Sequence, residues 1–266
     1  MKITQKIGLI GCGNMGSAIF EGAFRNHVCR SNQVWVADKM RDKVTSFSKK
    51  NKCHAAVDAV EIAKKTDVIL LAVKPQDLAE TAAAIRPFLN SKKTVISILA
   101  GVKLAGLKKH LGGAVIVRAM PNLGAQVGAS ITAICSKNKK SLQTAQALFS
   151  ACGGVVALDE KYFDVVTAVS GSGPAYFFLM MELLSDFARK NGLDEKSARQ
   201  LAVQTALGAG KLASISSDAP ALLREKVTSK KGTTHAALSV LKSKKFPKIF
   251  FSALQAAVKR SRQLSK

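Results

Sequence analysis

Acidic residues are scarce in this chain of 266 residues, which carries 17 Asp and Glu against 41 Lys and Arg. The formal charge of +24 is compatible with nucleic acid, an anionic surface or an acidic substrate as a partner, or with a basic bias of the proteome alone. No basic stretch alternates with stacking aromatics, and no zinc-finger or RNP-like spacing occurs. The sequence therefore disfavours nucleic acid as a partner.

Cysteine pairs are also missing, since no C-x-x-C spacing occurs and the number of cysteines, five, is odd. Free thiols of this kind are typical of a reducing compartment, so we expect a cytoplasmic protein, and no metal site is predicted. No run of about eighteen uncharged apolar residues is present, so no membrane span is expected. Residues 1–24 have lysines before an apolar run, as a signal peptide does, but their glycines predict a strand, a turn and a helix.

A glycine-spaced turn, G-C-G-N-M-G, lies between a short apolar strand over residues 6–11 and an amphipathic helix over residues 14–26. In a G-x-G-x-x-G turn the first glycine allows a sharp bend, the second a close approach to a pyrophosphate, and the third tight helix packing. The alternative is a glycine-rich turn without a ligand. We predict a dinucleotide site formed by Gly11, Cys12, Gly13, Asn14, Met15 and Gly16.

The second predicted strand ends at Asp38, where an acid usually binds a ribose hydroxyl of NAD. Lys39 and Arg41 follow at once and suit the additional phosphate of NADP, so the two signals conflict. Because Asp38 is the only acid at this turn, the pattern favours NADPH, with NADH as the alternative. All three residues also fit a solvated loop before a helix over residues 41–50.

Apolar runs and helical patterns alternate up to residue 160, and only helical patterns follow. Further strands are predicted at 33–37, 67–73, 94–99, 114–119, 130–134 and 155–157, with helices at 76–85, 104–110 and 141–151. The later helices are predicted at 162–169, 174–191, 195–214, 220–226, 234–241 and 247–264. We predict an α/β fold: a Rossmann-type doubly wound, mostly parallel sheet in residues 1–160, and an all-helical domain in residues 161–266.

The predicted helix over residues 174–191 is apolar on nearly every face. Such a helix either belongs to the core of a monomer or is buried partly against a second copy of the chain. A helical domain of about a hundred residues has little surface with which to cover it, so we favour the second copy.

A polar loop over residues 227–235 is rich in hydroxyls and leads directly into a helix. The free backbone N–H groups at a helix start are suited to an anion such as a carboxylate. The alternative is that Thr233 or Thr234 only caps the helix.

Several motifs together resemble the pyrroline-5-carboxylate reductase family over essentially the whole chain. They are the turn at 11–16, A-V-K-P at 72–75, R-A-M-P-N at 118–122, A-V-S-G-S-G-P-A-Y at 168–176, Q-T at 204–205, L-R-E-K-V-T-S at 223–229 and G-T-T at 232–234. The resemblance implies hydride transfer from NADPH or NADH to 1-pyrroline-5-carboxylate, which gives L-proline. It also implies a Rossmann domain, a helical dimerisation and substrate domain, and dimers that often stack into rings.

The resemblance also implies roles for individual residues. Ser229, Gly232, Thr233 and Thr234 would hold the substrate carboxylate, Val227 would wall the pocket, and the Thr234 hydroxyl would contact the ring nitrogen as the catalytic group. The cofactor would be lined near its ribose and nicotinamide by Ala72, Val73, Lys74, Pro75 and Asn122. For Lys74 a solvated strand end is the alternative, and we interpret His235 as a residue of the helix surface.

Three departures from the family pattern are visible. Leu123 and Gly124 replace a Thr-Pro pair, Lys230 and Lys231 stand where Pro-Gly is usual, and Ala59 replaces an asparagine. Two other functions remain open: a carbonyl reductase of the same architecture, and a basic binding protein that has kept a nucleotide fold. The first would usually need a lysine on the long helix, whose basic residues lie only at its far end.

Overall fold

A computed structural model describes residues 2–264 of the protein. In this range eight strands form one sheet: β1 (Ile7–Ile10), β2 (Val34–Ala37), β3 (His54–Ala55), β4 (Val68–Leu71), β5 (Thr94–Ser97), β6 (Val115–Met120), β7 (Ser130–Cys135) and β8 (Gly153–Ala157). The strand order is β3-β2-β1-β4-β5-β6-β7-β8. All neighbours are parallel except β6 and β7, so the prediction of a mostly parallel, doubly wound sheet is confirmed.

Twelve α-helices accompany the sheet in the same range. They are α1 (Asn14–Arg25), α2 (Arg41–Asn51), α3 (Ala59–Lys65), α4 (Leu78–Ile85), α5 (Leu104–Leu111), α6 (Lys139–Ser150), α7 (Phe163–Val166), α8 (Gly173–Lys190), α9 (Glu195–Ile215), α10 (Pro220–Lys226), α11 (Thr233–Ser243) and α12 (Phe246–Leu264).

The core lies on both faces of the sheet, as the alternation along β4 shows. Val68 and Leu70 belong to an apolar cluster that includes Phe149 of α6. Ile69 belongs to a second cluster that includes Ile85 of α4. A strand covered on both faces is apolar at every position, which is why β4 appears in the sequence as an uninterrupted apolar run.

Two elements of the first half were not predicted, β3 and α3. The two-residue β3 is an edge strand, and so short a segment carries no periodic pattern. The start of α3 is fixed by reciprocal capping: the Glu61 N–H donates to Asp58 Oδ1 at 2.8 Å, and the Val57 N–H donates to Glu61 Oε2 at 2.7 Å.

The helix predicted over residues 162–169 is divided into a 3-10 turn (Glu160–Tyr162), α7 and a π-helical turn (Thr167–Gly171). The Thr167 hydroxyl donates to the carbonyl of Phe163 at 2.7 Å, and side chains that bond their own backbone in this way distort a helix. The first compact unit reaches Ser172 and includes the residues from Ala257 onward. It therefore extends beyond residue 160, because Phe163 is fully buried in a small apolar cluster with Ala133 and Cys135.

The second compact unit, Gly173–Ala256, contains α8 to α11 and the beginning of α12. Among its residues, all of which the structure describes, the only buried side chains are those of Ala198 and Ala202. On α8, Phe177 is 65% and Phe187 is 70% exposed, so the chain does not bury this helix by itself. Within residues 2–264 no helix combines the length and apolarity that crossing a bilayer requires.

Candidate active site

The glycine turn after β1 is shaped by the strand beside it. Gly11 has φ +104°, and a Cβ atom on it would lie 2.6 Å from the carbonyl oxygen of Ala72, which follows β4. A Cβ on Gly16 would collide with the carbonyl of Gly11, so α1 packs directly on the turn. A Cβ on Gly13 would meet no atom within 4 Å. The turn is therefore closed on the protein side and open at Gly13, the position at which a G-x-G-x-x-G turn allows a pyrophosphate to approach the backbone.

The start of α1 is free to bind an anion. Gly13 is its N-cap without a side-chain capping bond, and the first turn holds no acid. Asn14 is exposed at this end, while Met15 packs against the apolar cluster beneath the turn. Unpaired N–H groups and the helix dipole both favour phosphate at such a terminus.

Cys12 lies inside the turn but has no reactive role. Burial raises the pKa of its thiol to about 12, and the Asp38 carboxylate contributes to the same shift. The thiol contacts the carbonyl of Ala37 at 3.7 Å. Cys12 is thus a protonated packing residue at neutral pH.

The turn after β2 brings Asp38, Lys39 and Arg41 to the glycine turn, but each side chain is already bonded within the protein. Asp38 accepts the N–H of Cys12 at 2.7 Å. Lys39 pairs with two acids of the β4–α4 connection and of α4 itself, Asp77 and Glu80. Arg41 donates to two backbone carbonyls after β3. Lys39 and Arg41 are nevertheless exposed, and α2 begins at Arg41, so the alternative of a solvated loop before this helix stays open.

The segment after β4, which comprises Ala72, Val73, Lys74 and Pro75, lies at the same sheet edge. The Ala72 N–H donates to the carbonyl of Ile10 at 2.8 Å, which places this segment beside the end of β1. Pro75 begins a 3-10 turn, and the exposed Lys74 immediately precedes it. The carboxyl ends of β1, β2 and β4 thus form one crevice edge, where open α/β sheets bind their ligands.

Asn122 follows β6 at the same edge of the sheet. Its side chain accepts the N–H of Gly124 at 3.2 Å and caps a 3-10 turn, Leu123–Val127. A Cβ on Gly124 would collide with the carbonyl of Ala129. The backbone of Ala129 lies so close that only glycine fits at position 124, which is one of the departures from the family pattern. Leu123, the neighbouring departure, is 43% exposed.

Arg118 of β6 is a residue of the site region to which the sequence reasoning gave no role. Its guanidinium is buried, lies 3.0 Å from Glu160 Oε1 and stacks 4.7 Å from the ring centroid of Phe163. Glu160 Oε1 also accepts the N–H of Leu104 at 2.6 Å. The signal available in the sequence was a lone arginine within an apolar strand, which requires a buried partner.

The predicted substrate loop lies in the second unit, between α10 and α11. The N-cap of α11 is Gly232, which makes no side-chain capping bond. Thr233 and Thr234 are the first two helical residues, and neither hydroxyl bonds to any other residue of the described range 2–264. The alternative in which one of them caps the helix is therefore wrong.

The turn that leads into this helix is tight. The Gly232 N–H donates to the Ser229 carbonyl at 3.1 Å, and a Cβ on Gly232 would collide with the Ser229 hydroxyl. Lys231 has φ +59°, the left-handed conformation that glycine adopts most easily. Val227 and Ser229 are exposed before the turn, and His235 is exposed on the helix after it.

The comparisons with known proteins agree over the whole chain. A family model described as pyrroline-5-carboxylate reductase dimerisation matches residues 160–264, and one described as NADP oxidoreductase, coenzyme F420-dependent, matches residues 6–101. The pyrroline-5-carboxylate reductase of Synechocystis sp. is 39% identical, covering 99% of this chain and 100% of its own length.

Two solved structures extend this similarity to the fold. The pyrroline-5-carboxylate reductase from Coxiella burnetii has a TM-score of 0.93 at 36% identity and covers 99% of this chain and 100% of its own. The Plasmodium falciparum enzyme, solved with NADP bound, has a TM-score of 0.88 at 28% identity and covers 100% of both chains. The resemblance carried by the motifs is thereby confirmed, and the chain belongs to the pyrroline-5-carboxylate reductase family.

Proposed function

We propose that the protein reduces the C=N bond of 1-pyrroline-5-carboxylate and so forms L-proline, the last step of proline biosynthesis. As a member of its family the chain is an NAD(P)H-dependent oxidoreductase. The bound nicotinamide supplies the hydride, so the protein has to bind, orient and shield the reactants. The observation that carries the substrate assignment is the uncapped start of α11 with its unpaired Thr234 hydroxyl.

The substrate carboxylate is assigned to the backbone at this helix start. Within residues 2–264, the N–H groups of Thr233 and Thr234 have no acceptor, as is usual for the first helical turn. A carboxylate satisfies these donors and is stabilised by the helix dipole. The Ser229 hydroxyl faces Gly232 and adds a third donor, and Val227 supplies an apolar wall.

Thr234 is assigned to the imine nitrogen. Its side chain is half-buried, so the hydroxyl is partly shielded from water. The N–H of a protonated cyclic imine donates to the Thr234 Oγ1 atom, which fixes the face of the ring that the hydride reaches. The bond orients the reacting carbon, and orientation of this kind lowers the barrier without a metal or an acidic side chain.

The residues of α8 do not support the alternative of a carbonyl reductase. The basic side chains of α8 are Arg189 and Lys190, both in its last turn. A catalytic lysine of the hydroxyacid dehydrogenase type is thus absent from the body of this fully described helix. Imine reduction needs no such group, because a protonated imine is already strongly electrophilic.

The protein self-associates through its dimerisation domain. We assign the exposed apolar face of α8 to the contact between two copies, and we extend the family resemblance to a ring of dimers.

The five cysteines are free, and four of them are buried, which supports a reducing compartment and a cytoplasmic location.

The decisive assay measures NADPH or NADH oxidation after addition of pyrroline-5-carboxylate, with 2-keto acids and a nucleic-acid binding assay in parallel. We expect turnover with the imine and none with the keto acids. Turnover with keto acids alone would establish the carbonyl reductase alternative. Nucleic acid binding without oxidation of either nucleotide would establish the binding protein.

A further inference from the structure

Asp38 is held in a fixed orientation at the end of β2. Its Oδ2 atom accepts the Cys12 N–H at 2.7 Å, and its Oδ1 atom accepts the Met40 N–H at 2.9 Å. Each oxygen retains a second lone pair, since a carboxylate accepts about four hydrogen bonds. The carboxylate is therefore positioned at the glycine turn with acceptor capacity left for hydroxyl groups.

Lys39, the nearest basic residue in the sequence, is not free to bind a phosphate. Its Nζ atom lies 3.0 Å from Asp77 Oδ1 and 2.7 Å from Glu80 Oε2. These hydrogen bonds hold the pKa of Lys39 above its ordinary value, so the ammonium stays charged and paired. Two carboxylates thus bind this one ammonium group.

Arg41 is also occupied. Its Nη1 atom donates to the carbonyl of Ala56 at 3.1 Å and to that of Val57 at 3.3 Å. These bonds hold the guanidinium on the segment after β3. On the first turns of α2 the remaining charged side chains are Asp42 and Lys43, both exposed, and Lys43 is close enough to the glycine turn to influence the Cys12 thiol.

We propose that this chain selects NADH over NADPH, with Asp38 as the specificity residue and with Lys39 held away from the cofactor by Asp77 and Glu80. The 2′-hydroxyl of NADH donates to the free lone pairs of Asp38. The 2′-phosphate of NADPH has no proton to donate and places like charges in contact, which is unfavourable. This proposal departs from the expectation of NADPH, which was based on Lys39 and Arg41, because both side chains have partners in the protein.

The first test measures dissociation constants for NADH and NADPH by titration calorimetry, without the imine. We expect NADH to bind about tenfold more tightly to the unaltered protein, because an open site screens part of the repulsion. Asp38→Asn keeps an acceptor for one backbone N–H and removes the charge, so the two affinities should become equal or reverse. Asp42→Asn removes the same charge from α2 and should leave the preference unchanged.

The second test releases Lys39. Asp77→Asn combined with Glu80→Gln should strengthen NADPH binding about threefold or more, because the ammonium then reaches the phosphate. Adding Lys39→Ala should cancel that gain, whereas Lys39→Ala alone should alter neither affinity. Tighter binding of NADPH than NADH by the unaltered protein, or selective loss of NADPH affinity in Lys39→Ala or Lys43→Ala, would overturn the proposal.

This inference rests on the proposed function only for the identity of the cofactor. Because binding is measured without substrate, a preference for NADH without imine turnover would refute the reductase activity alone. Turnover with a preference for NADPH would refute the specificity assignment alone.

Discussion

At the level of single residues, the proposed substrate contact of Thr234 rests on the absence of any hydrogen-bond partner for its hydroxyl among residues 2–264. A threonine that caps a helix stabilises the fold, whereas Thr234 lies inside the helix behind Gly232 and has no partner among residues 2–264. A half-buried hydroxyl without a partner is available to a ligand. The two roles predict different measurements.

We expect Thr234→Ala to lower kcat/KM for pyrroline-5-carboxylate about ten- to a hundredfold, since a hydrogen bond to a charged group contributes about 1.5–3 kcal/mol. The melting temperature should change little, because no capping bond is lost. Steady-state kinetics and thermal unfolding measure the two effects.

Thr234→Ser serves as the control and should keep most of the activity, because the hydroxyl is retained. Full activity of Thr234→Ala with complete loss in Ser229→Ala would move the catalytic role to Ser229. The family assignment would be unaffected by that result.

The backbone of Lys231 adopts a left-handed conformation that is strained for a residue with a side chain. With φ +59° it occupies the third position of a turn closed by the Gly232 N–H and the Ser229 carbonyl. Glycine is favoured at a turn position with positive φ, because an L side chain there costs about 1 kcal/mol. This turn is where the sequence departs from the family's Pro-Gly pair.

Lys231→Gly should therefore raise the free energy of unfolding by about 0.5–1 kcal/mol, measured by thermal or denaturant unfolding. Lys230→Gly is the matched control, since Lys230 does not have a positive φ and the change should destabilise slightly. Equal effects of the two changes would refute the strain.

At the scale of elements, Glu160 connects three segments of the first unit. Its Oε1 atom bonds Arg118 of β6 and the Leu104 N–H at the start of α5, while Phe163 of α7 covers the guanidinium. Only 4% of the Arg118 side chain is exposed, so it has little access to water as a replacement partner. Removing one member of such a pair leaves an uncompensated charge.

Glu160→Ala should lower the free energy of unfolding by about 2–3 kcal/mol, below the full cost for a buried pair because Glu160 itself is partly exposed. Asp159→Ala is the neighbouring control. The Asp159 contact with Lys161, at 3.7 Å, is exposed on both sides, and its loss should change stability by about 0.5 kcal/mol or less. Denaturant titrations that give equal values for both changes would refute the structural role of Glu160.

At the scale of the whole molecule, the second unit cannot form a core from one chain. Its long helix α8 presents Phe178, Leu183 and further large apolar side chains at the surface, and α9 does so at Leu207. Apolar patches of this extent mark an interface. The match of residues 160–264 to a dimerisation family model supports the proposal that a second copy covers this face.

Phe178→Lys should weaken self-association about a hundredfold, because a charge in an apolar interface has no partner. Light scattering should show a smaller, poorly active species. Gln143→Lys adds the same charge to an exposed position of α6 in the first unit and should leave the assembly intact. A chain that is monomeric at micromolar concentration without any substitution would refute the interface.

Features carried by short stretches of the chain could be predicted from the sequence. The strand, glycine turn and helix around Gly11 and Gly13 were predictable because the bend, the apolar run and the helical period all lie within about twenty consecutive residues. The uninterrupted apolar run of β4 identified a strand covered on both faces, and the absence of strand patterns after residue 160 predicted the helices α8 to α12. The motifs along the chain identified the family.

Contacts between residues that lie far apart in the sequence depend on how the chain folds. The pairing of Lys39 with Asp77 and Glu80, and of Arg118 with Glu160, joins segments that become neighbours only when the sheet forms. Residue type shows that a charge needs a partner, but the partner is selected by strand order and packing. For that reason the sequence alone suggests Lys39 and Arg41 as phosphate ligands, whereas their partners in the folded protein are the basis of the proposed preference for NADH.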